Sequence, residues 1–286
     1  MKMHILRILL ILIIIAAVIA CVLFVSMTLT EPYAHIYPDY PRIDLEQILS
    51  NASFTDEDYL TLYYQTGLGR SAVDEIKELF PDWQHRILRF QEDFYKTIEF
   101  ICEKNSPISR EESIVDEEGN YINGTQMAPL HEGYILVTKS SHTYGWRNGH
   151  SAMVVDADDG KTLESVVLGM NSSIQDISKW PNYPNFILLR PKGATYDDMK
   201  AAALTAVDLL YDIPYDLTVG IFSPKSADRD KITGTHCSHL IWQAYYYHGY
   251  DLDSDGGMIV TPKDIANSTE LEVVQVYGVD PHRVWP

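Results

Sequence analysis

The stretch Thr235-His236-Cys237-Ser238-His239-Leu240-Ile241-Trp242 decides how the chain is read. It follows an irregular segment containing Gly and Asp. Leu240, Ile241, Ala244 and Tyr245 then recur at the spacing of a buried helical face, with Gly249 as the stop. Cys237 therefore opens a helix, where unpaired N–H groups and the helix dipole favour thiolate over thiol. A cysteine nucleophile would sit at such a position.

A thiol of ordinary pKa, about 8.5, is mostly protonated at neutral pH, so a nucleophile also needs a base. The best placed histidine is His150, which opens a strand directly after the loop Gly145-Trp146-Arg147-Asn148-Gly149 and can face a cleft. An imidazole in turn needs a partner that fixes its tautomer and stabilises its charged form. Glu164 stands on the next strand, beyond the turn Asp156-Ala157-Asp158-Asp159-Gly160-Lys161. Pairing Val154 with Thr162 sets Ala152 opposite Glu164, which puts His150 and Glu164 on one face; a slip of one residue would turn Glu164 away. Of the other histidines, His236 completes the local turn, His239 points elsewhere from the helix, and His142 is a pocket candidate before the strand. Of the three cysteines, Cys21 lies in an apolar run, and a Cys102 to Cys237 bridge is the alternative to a reactive thiol.

Around this centre the apolar pattern has period two at residues 133–139, 150–155, 163–168, 186–190 and 271–277, which are read as strands. Thr195 caps a helix with Met199, Ala203, Ala206, Val207 and Leu210 inward, ending before Pro214. Strands, two helices and a last strand imply an α+β domain, mostly antiparallel sheet packed on helices, over residues 126–286. Residues 46–125 are expected as a helical prelude. One helix opens at Ser53-Phe54-Thr55-Asp56-Glu57-Asp58 and ends at Thr66-Gly67-Leu68-Gly69; two more cover 72–80 and 83–101, and a charged loop covers 103–125. Residues 31–45, rich in Pro and Tyr, are expected as an extended stalk.

Residues 1–30 are read as a transmembrane anchor or uncleaved signal. Ile8 to Val25 is unbroken apolar sequence, and no charge appears through Thr30, enough to cross a hydrocarbon core of roughly 30 Å. Lys2 and Arg7 precede the run and acids follow it, so the N-terminus is expected in the cytoplasm and the body outside the cell membrane. Val18-Ile19-Ala20-Cys21 offers the alternative of a lipoprotein processed at Cys21, although Val22-Leu23-Phe24-Val25 continues the apolar run. The net charge is −18; since Lys2 and Arg7 are the only charged residues of the first thirty, the remainder carries −20. A body that acidic is repelled by phosphates, so nucleic acid is not expected as a partner. Asp251-Leu252-Asp253-Ser254-Asp255-Gly256-Gly257 matches the opening of a calcium loop. Pro262 stands where the bidentate Glu belongs, so an acidic turn is expected instead.

The succession Gly133-Tyr134-Ile135-Leu136-Val137-Thr138-Lys139, Gly149-His150-Ser151-Ala152-Met153-Val154-Val155, Leu163-Glu164-Ser165-Val166, Ile213-Pro214-Tyr215-Asp216, Cys237-Ser238-His239-Leu240-Ile241-Trp242 and Thr261-Pro262-Lys263-Asp264-Ile265 resembles the circularly permuted papain-like hydrolases of the NlpC superfamily, of the YiiX/YaeF-like group. The match covers about residues 131–277. Permuted members place the histidine strand before the cysteine, which is the order here. The resemblance implies Cys237 as nucleophile, His150 as base and Glu164 as the polar third residue, with no metal or organic cofactor. His239 stands where relatives often carry an acid, which bears on substrate preference. The implied activity is that of a cysteine amidase or peptidase acting on a peptide or acyl amide, with peptidoglycan peptide foremost. An acyltransferase or lipid-amide hydrolase and a non-catalytic cell-wall-binding module remain as alternatives.

Overall fold

The computed structural model describes residues 2–29, 34–106, 109–143 and 145–286. Helix α1 (Lys2–Leu29) contains the segment Ile5–Val25, whose mean hydropathy of 3.6 makes it long and apolar enough to span a membrane or to act as a signal sequence. After it come α2 (Glu46–Leu49), α3 (Asp56–Thr66), α4 (Arg70–Leu79) and α5 (Trp83–Tyr95). The strands are β1 (Glu99–Lys104), β2 (Ser109–Val115), β3 (Ile135–Thr138), β4 (Ser141–Thr143), β5 (His150–Asp156), β6 (Lys161–Glu164), β7 (Ser173–Asp176), β8 (Phe186–Pro191) and β9 (Leu271–Tyr277). Helices α6 (Tyr196–Leu210), α7 (Cys237–Tyr246) and α8 (Pro262–Ala266) precede β9.

Six strands form one antiparallel sheet in the order β7-β6-β5-β3-β8-β9. Period two divides its side chains between two helical layers. Ile135, Val137, Met153, Leu163 and Ile187 pack against Ala202, Ala206 and Leu210 of α6 and Leu240, Ile241 and Tyr245 of α7. Tyr134, Leu136, Ala152, Val154 and Leu188 pack on the other side against Leu62, Val73, Ile76, Ile87 and Phe90 of α3, α4 and α5. The fold is α+β with helices on both faces of an antiparallel sheet.

The expected prelude thus forms one layer of the core. At about 1.5–3 kcal/mol per fully buried side chain, those five residues of α3–α5 alone contribute on the order of 10 kcal/mol through this contact. Thr55 and Asp58 form a reciprocal cap at the start of α3, as the acidic first turn implied. Its end is set by Gly67, at φ 74°, where a Cβ would overlap the Val276 carbonyl oxygen. That close approach lets Leu68 bridge Gln275 and Gly69 N–H donate to Val274 O at 2.8 Å, covering the outer edge of β9.

Three expectations are corrected. The helix read over 83–101 stops at Tyr95, and β1 and β2 pair antiparallel where its last residues and the charged loop were expected. Ile87, Phe90 and Phe94 are buried at helical spacing, but Ile98 and Ile101 continue that spacing by coincidence, in a segment where Ile98, Phe100 and Ile101 suit a strand. With β4 they make a small second sheet, β1-β2-β4. The strand read over 163–168 ends at Glu164, and β7, a mixed Ser-Ile-Gln-Asp segment without an apolar run, takes the sheet edge instead.

Of the expected stalk, residues 31–33 lie outside the described residues, and 34–45 are strapped to the body. Asn185 Nδ2 donates to Ala34 O at 2.6 Å, His35 Nδ1 donates to Pro184 O at 2.6 Å, and Ile36 N–H donates to Gly278 O at 2.9 Å. Residues 34–45 form no helix or strand, and Ala34, His35 and Leu45 are buried.

Candidate active site

Three segments converge at one end of the large sheet. The first is the start of α7. His236 is its N-cap, in extended conformation (φ −133°, ψ 174°), so the helix begins with Cys237. The approach is fixed by a parallel bridge between Tyr215 and Thr235, in which Thr235 N–H donates to Pro214 O at 3.0 Å and Asp216 N–H to Thr235 O at 2.8 Å. Thr235 Oγ1 donates to Gln243 Oε1 at 3.0 Å, and Ser238 Oγ donates to Val260 O at 2.8 Å. The cysteine is thus held from both sides, buried, with no disulfide; Cys21 and Cys102 are also free thiols.

The second segment is β5 with β6. Val154 pairs with Thr162 and Met153 with Leu163, the register that puts His150 and Glu164 on one face. The two side chains meet, with His150 Nε2 2.7 Å from Glu164 Oε2. The imidazole stacks on Trp180, centroids 5.9 Å apart and planes 20° from parallel. With Nε2 committed to the carboxylate, Nδ1 is the nitrogen left for the Cys237 sulfur.

The third segment, the 3-10 turn Ile177–Asn182, was not anticipated as part of the site. Lys179 Nζ donates to Glu164 Oε2 at 2.7 Å and Trp180 Nε1 to Glu164 Oε1 at 3.1 Å, while Thr162 Oγ1 gives Oε1 a further bond at 2.7 Å. Glu164 is wholly buried yet receives four hydrogen bonds, which is what a buried carboxylate requires. Thr162 follows from the same parity as Glu164. Lys179 and Trp180 carry no periodic signal.

The electrostatics agree between the partners. Burial pushes the Cys237 thiol up, but the neighbouring imidazoles of His150 and His236 outweigh it and hold the thiol well below its ordinary value. Burial pulls His150 down, yet its bonds to Cys237 and Glu164 and their negative charge raise it to about 9. Burial also pushes Glu164 up, but the hydrogen bond and charge of His150, with Lys179, lower it to about 2. The arrangement favours a thiolate and imidazolium over a neutral pair.

His236 does more than complete the local turn. Its Nε2 is buried without a hydrogen-bond partner among the described residues, and its ring stands by the sulfur and lines the cleft. His236→Ala is expected to shift the pH midpoint of Cys237 alkylation by iodoacetamide upward, because one of the two imidazoles beside the sulfur is lost. Alkylation rates from pH 4 to 9 check this. An unchanged midpoint would reduce His236 to a cap. His239 lies within hydrogen-bond distance of Thr235 Oγ1 (3.1 Å), stacks on Trp242 and lines neither lobe of the cleft. Burial and the charges of His236 and Lys225 lower it to about 3, so it is a neutral core residue, and the substrate preference attached to it has no contact to act through.

Two lobes of the cleft meet at Cys237, with Asn148, Tyr215 and Leu217 shared. One, of about 420 Å³, is walled by Arg110, Glu111, His142, His150 and Val166 to Leu168. The other, of about 700 Å³, is walled by Ile259, Val260, Pro262, Lys263 and Trp285. His142 is therefore a cleft residue, held at 3.0 Å by Glu112 Oε1. Cys102, Glu112 and His142 bring ligand-type atoms within 4.8 Å of one another. Both Glu112 oxygens, however, receive Arg147 at 2.6 and 2.9 Å, and a guanidinium there opposes a metal cation. At the Asp251 to Gly257 turn, Lys225 pairs with Asp253 and donates to Gly257 O at 2.7 Å, the compensation an acidic turn requires.

No protein-family model matches the chain, and no curated protein matches it. Among solved structures the chain is similar to the crystal structure of metalloprotein yiiX from Escherichia coli O157:H7, at 14% identity, with 55% of this chain and 99% of that one covered and a TM-score of 0.41.

Proposed function

We propose that the protein is a membrane-anchored cysteine hydrolase of permuted papain-like fold, facing outward from the cell membrane, which cleaves an amide bond through an acyl-enzyme. The observation that carries this is the buried His150–Glu164 pair, 2.7 Å apart, beside a depressed thiol at a helix start. The order, histidine strand before cysteine helix, is that of the permuted proteins the sequence resembles. Lys2 and Arg7 before the apolar span support the outward-facing reading through the positive-inside bias.

In the first step the Cys237 thiolate attacks the carbonyl carbon, and the oxyanion forms beside the Cys237 backbone N–H at the helix start. As the C–N bond breaks, the imidazolium of His150 gives its proton to the leaving amine. Water then attacks the thioester and loses a proton to His150; the carboxylic acid departs and the thiolate is restored. Glu164 holds the ring and stabilises its charged form throughout, and it remains ionised. No step calls for a metal or organic cofactor.

Cell-wall peptide is the proposed substrate. The apolar walls of the larger lobe, Ile259, Val260, Pro262 and Trp285, favour an acyl chain as the second reading, which makes the protein a lipid-amide hydrolase or acyltransferase. Intact-mass measurement of the full chain after brief incubation with peptidoglycan peptides, and separately with N-acyl lipid amides, tests both. An adduct of the acyl portion on Cys237 from the peptides supports the first reading; an adduct from the lipid amides alone replaces it with the second. Absence of both, with no product released, would leave a binding module.

A further inference from the structure

From the placement of the strap and the shape of the cleft mouth, we infer that the body docks on the bilayer that holds α1, with the rim of the cleft pressed against lipid. The inference rests on the proposed role of α1 as an anchor and is independent of the thiol chemistry.

The strap begins at the end of the sheet that carries the site. Ala34 O receives Asn185 Nδ2 at 2.6 Å, Thr138 Oγ1 donates to Asn185 O at 2.7 Å, and Thr138 is paired with His150 across the β3–β5 ladder. With strands about 4.8 Å apart, the point where the body is secured to its anchor lies within roughly 15 Å of His150.

The tether is short. Five residue steps separate Leu29 from Ala34, at most about 18 Å when fully extended, and four helical residues beyond Val25 add about 6 Å. The headgroup layer takes up roughly 5–8 Å of this. The remaining reach is less than half the diameter of a body of this size, about 45 Å from its expected radius of gyration. The site-bearing end is therefore the end that meets the membrane, and the opposite end, at the turn between β5 and β6, points away.

At the site-bearing end an apolar rim is exposed. Leu168 and Leu217 line the smaller lobe with His150 and Cys237, and Tyr215 N–H donates to Met170 O at 3.0 Å, joining the two loops. The rim continues through Ile221 and Phe222, and a Cβ on the neighbouring Gly220 would overlap the Met258 carbonyl oxygen. Phe222 is 86% exposed, Met258 69% and Leu168 61%, large apolar side chains whose clustering at a cleft mouth marks a contact surface. The body carries −20, so charge does not draw it to anionic lipid. Apolar contact assisted by the tether suits a zwitterionic surface.

The test uses the full chain with Cys21→Ser, Cys102→Ser and Cys237→Ser, carrying one new cysteine as Phe222→Cys, Met258→Cys or Asp158→Cys. Each is labelled with the fluorophore NBD and reconstituted, one chain per disc, into phosphatidylcholine nanodiscs with or without lipids bearing a doxyl quencher near the headgroup. Docking predicts at least twofold quenching at 222 and 258, insensitive to salt between 0.05 and 0.5 M as an order-of-magnitude range, and none at 158 in the distal turn. Equal responses at all three positions overturn it. So does shielding at 222 that doxyl lipid does not quench and that grows with two chains per disc, since that identifies a second copy as the occupant. A chain that fails to co-elute with the discs overturns the anchor reading together with the docking, and is distinguished by that elution alone.

Discussion

Cys237→Ala is expected to bring amide hydrolysis down to the background rate, a loss of about 10⁴- to 10⁶-fold in kcat, the range found when a nucleophile that acts as one unit with its base is removed. Among the described residues, the thiol is the only group at the junction of the two lobes with both a depressed pKa and a neighbouring imidazole, so no described side chain there replaces it. Substrate binding should persist in the variant, because the walls of both lobes are unchanged. Cys102→Ala, at an exposed thiol outside the cleft, should stay within about twofold of the parent, within the scatter of a surface change. Steady-state product release, read beside the mass of trapped acyl-enzyme, checks both. Residual hydrolysis within about tenfold of the parent would remove Cys237 from the chemistry.

Glu164→Leu should have the largest effect on stability. It removes the acceptor for His150, Lys179, Thr162 and Trp180 in a place water does not reach. Breaking a buried charged pair costs about 3–5 kcal/mol, which in a domain of this size lowers Tm by on the order of 10 °C. Glu164→Gln keeps the shape and loses the charge, so it should destabilise less while lowering the pKa of His150. The pH dependence has a definite sign. His150 is raised to about 9, so its contribution is whole below its unfolded value, about 6.5, and is lost as pH rises through 9. Glu164 is depressed to about 2, so its contribution is present above about 4.5 and is lost as pH falls through 2. The parent should therefore hold its full pair stabilisation from about pH 4.5 to 6.5, and the gap to Glu164→Gln should narrow outside that window. Calorimetric scans of both proteins from pH 3 to 10 check it; a constant gap would mean that the pair is not ionised.

The parts of the site legible in the sequence follow from two periodicities. Placing Val154 opposite Thr162 was enough to bring His150 and Glu164 to one face, and the observed register makes that pairing. The helical spacing of Leu240, Ile241 and Ala244 placed Cys237 at a helix start. Lys179 and Trp180 reach the carboxylate from a 3-10 turn beyond β7, where neither period applies, so only the fold brings them in. His236 reads in sequence only as completing a turn, because a cap residue and a neighbour of the sulfur look alike there. The strap and the β1–β2 hairpin are hidden in the sequence for a related reason. A Pro- and Tyr-rich segment does not reveal whether it packs, and an exposed strand residue such as Ile101 can fall by chance on a helical spacing. The helical layer of α3–α5 read correctly as helices, but whether it shares a core depends on contacts with β3, β5 and β9 far along the chain.

The meeting of the two lobes at Cys237 has a kinetic consequence. On the proposed acyl-enzyme route, an acyl group retained in one lobe would leave the other to be vacated by the departing amine, and that emptied lobe would be the entry for whatever attacks the thioester next. Partitioning between water and a second amine or alcohol is then set by competition for one vestibule, independently of the half-reaction that loaded the thiol.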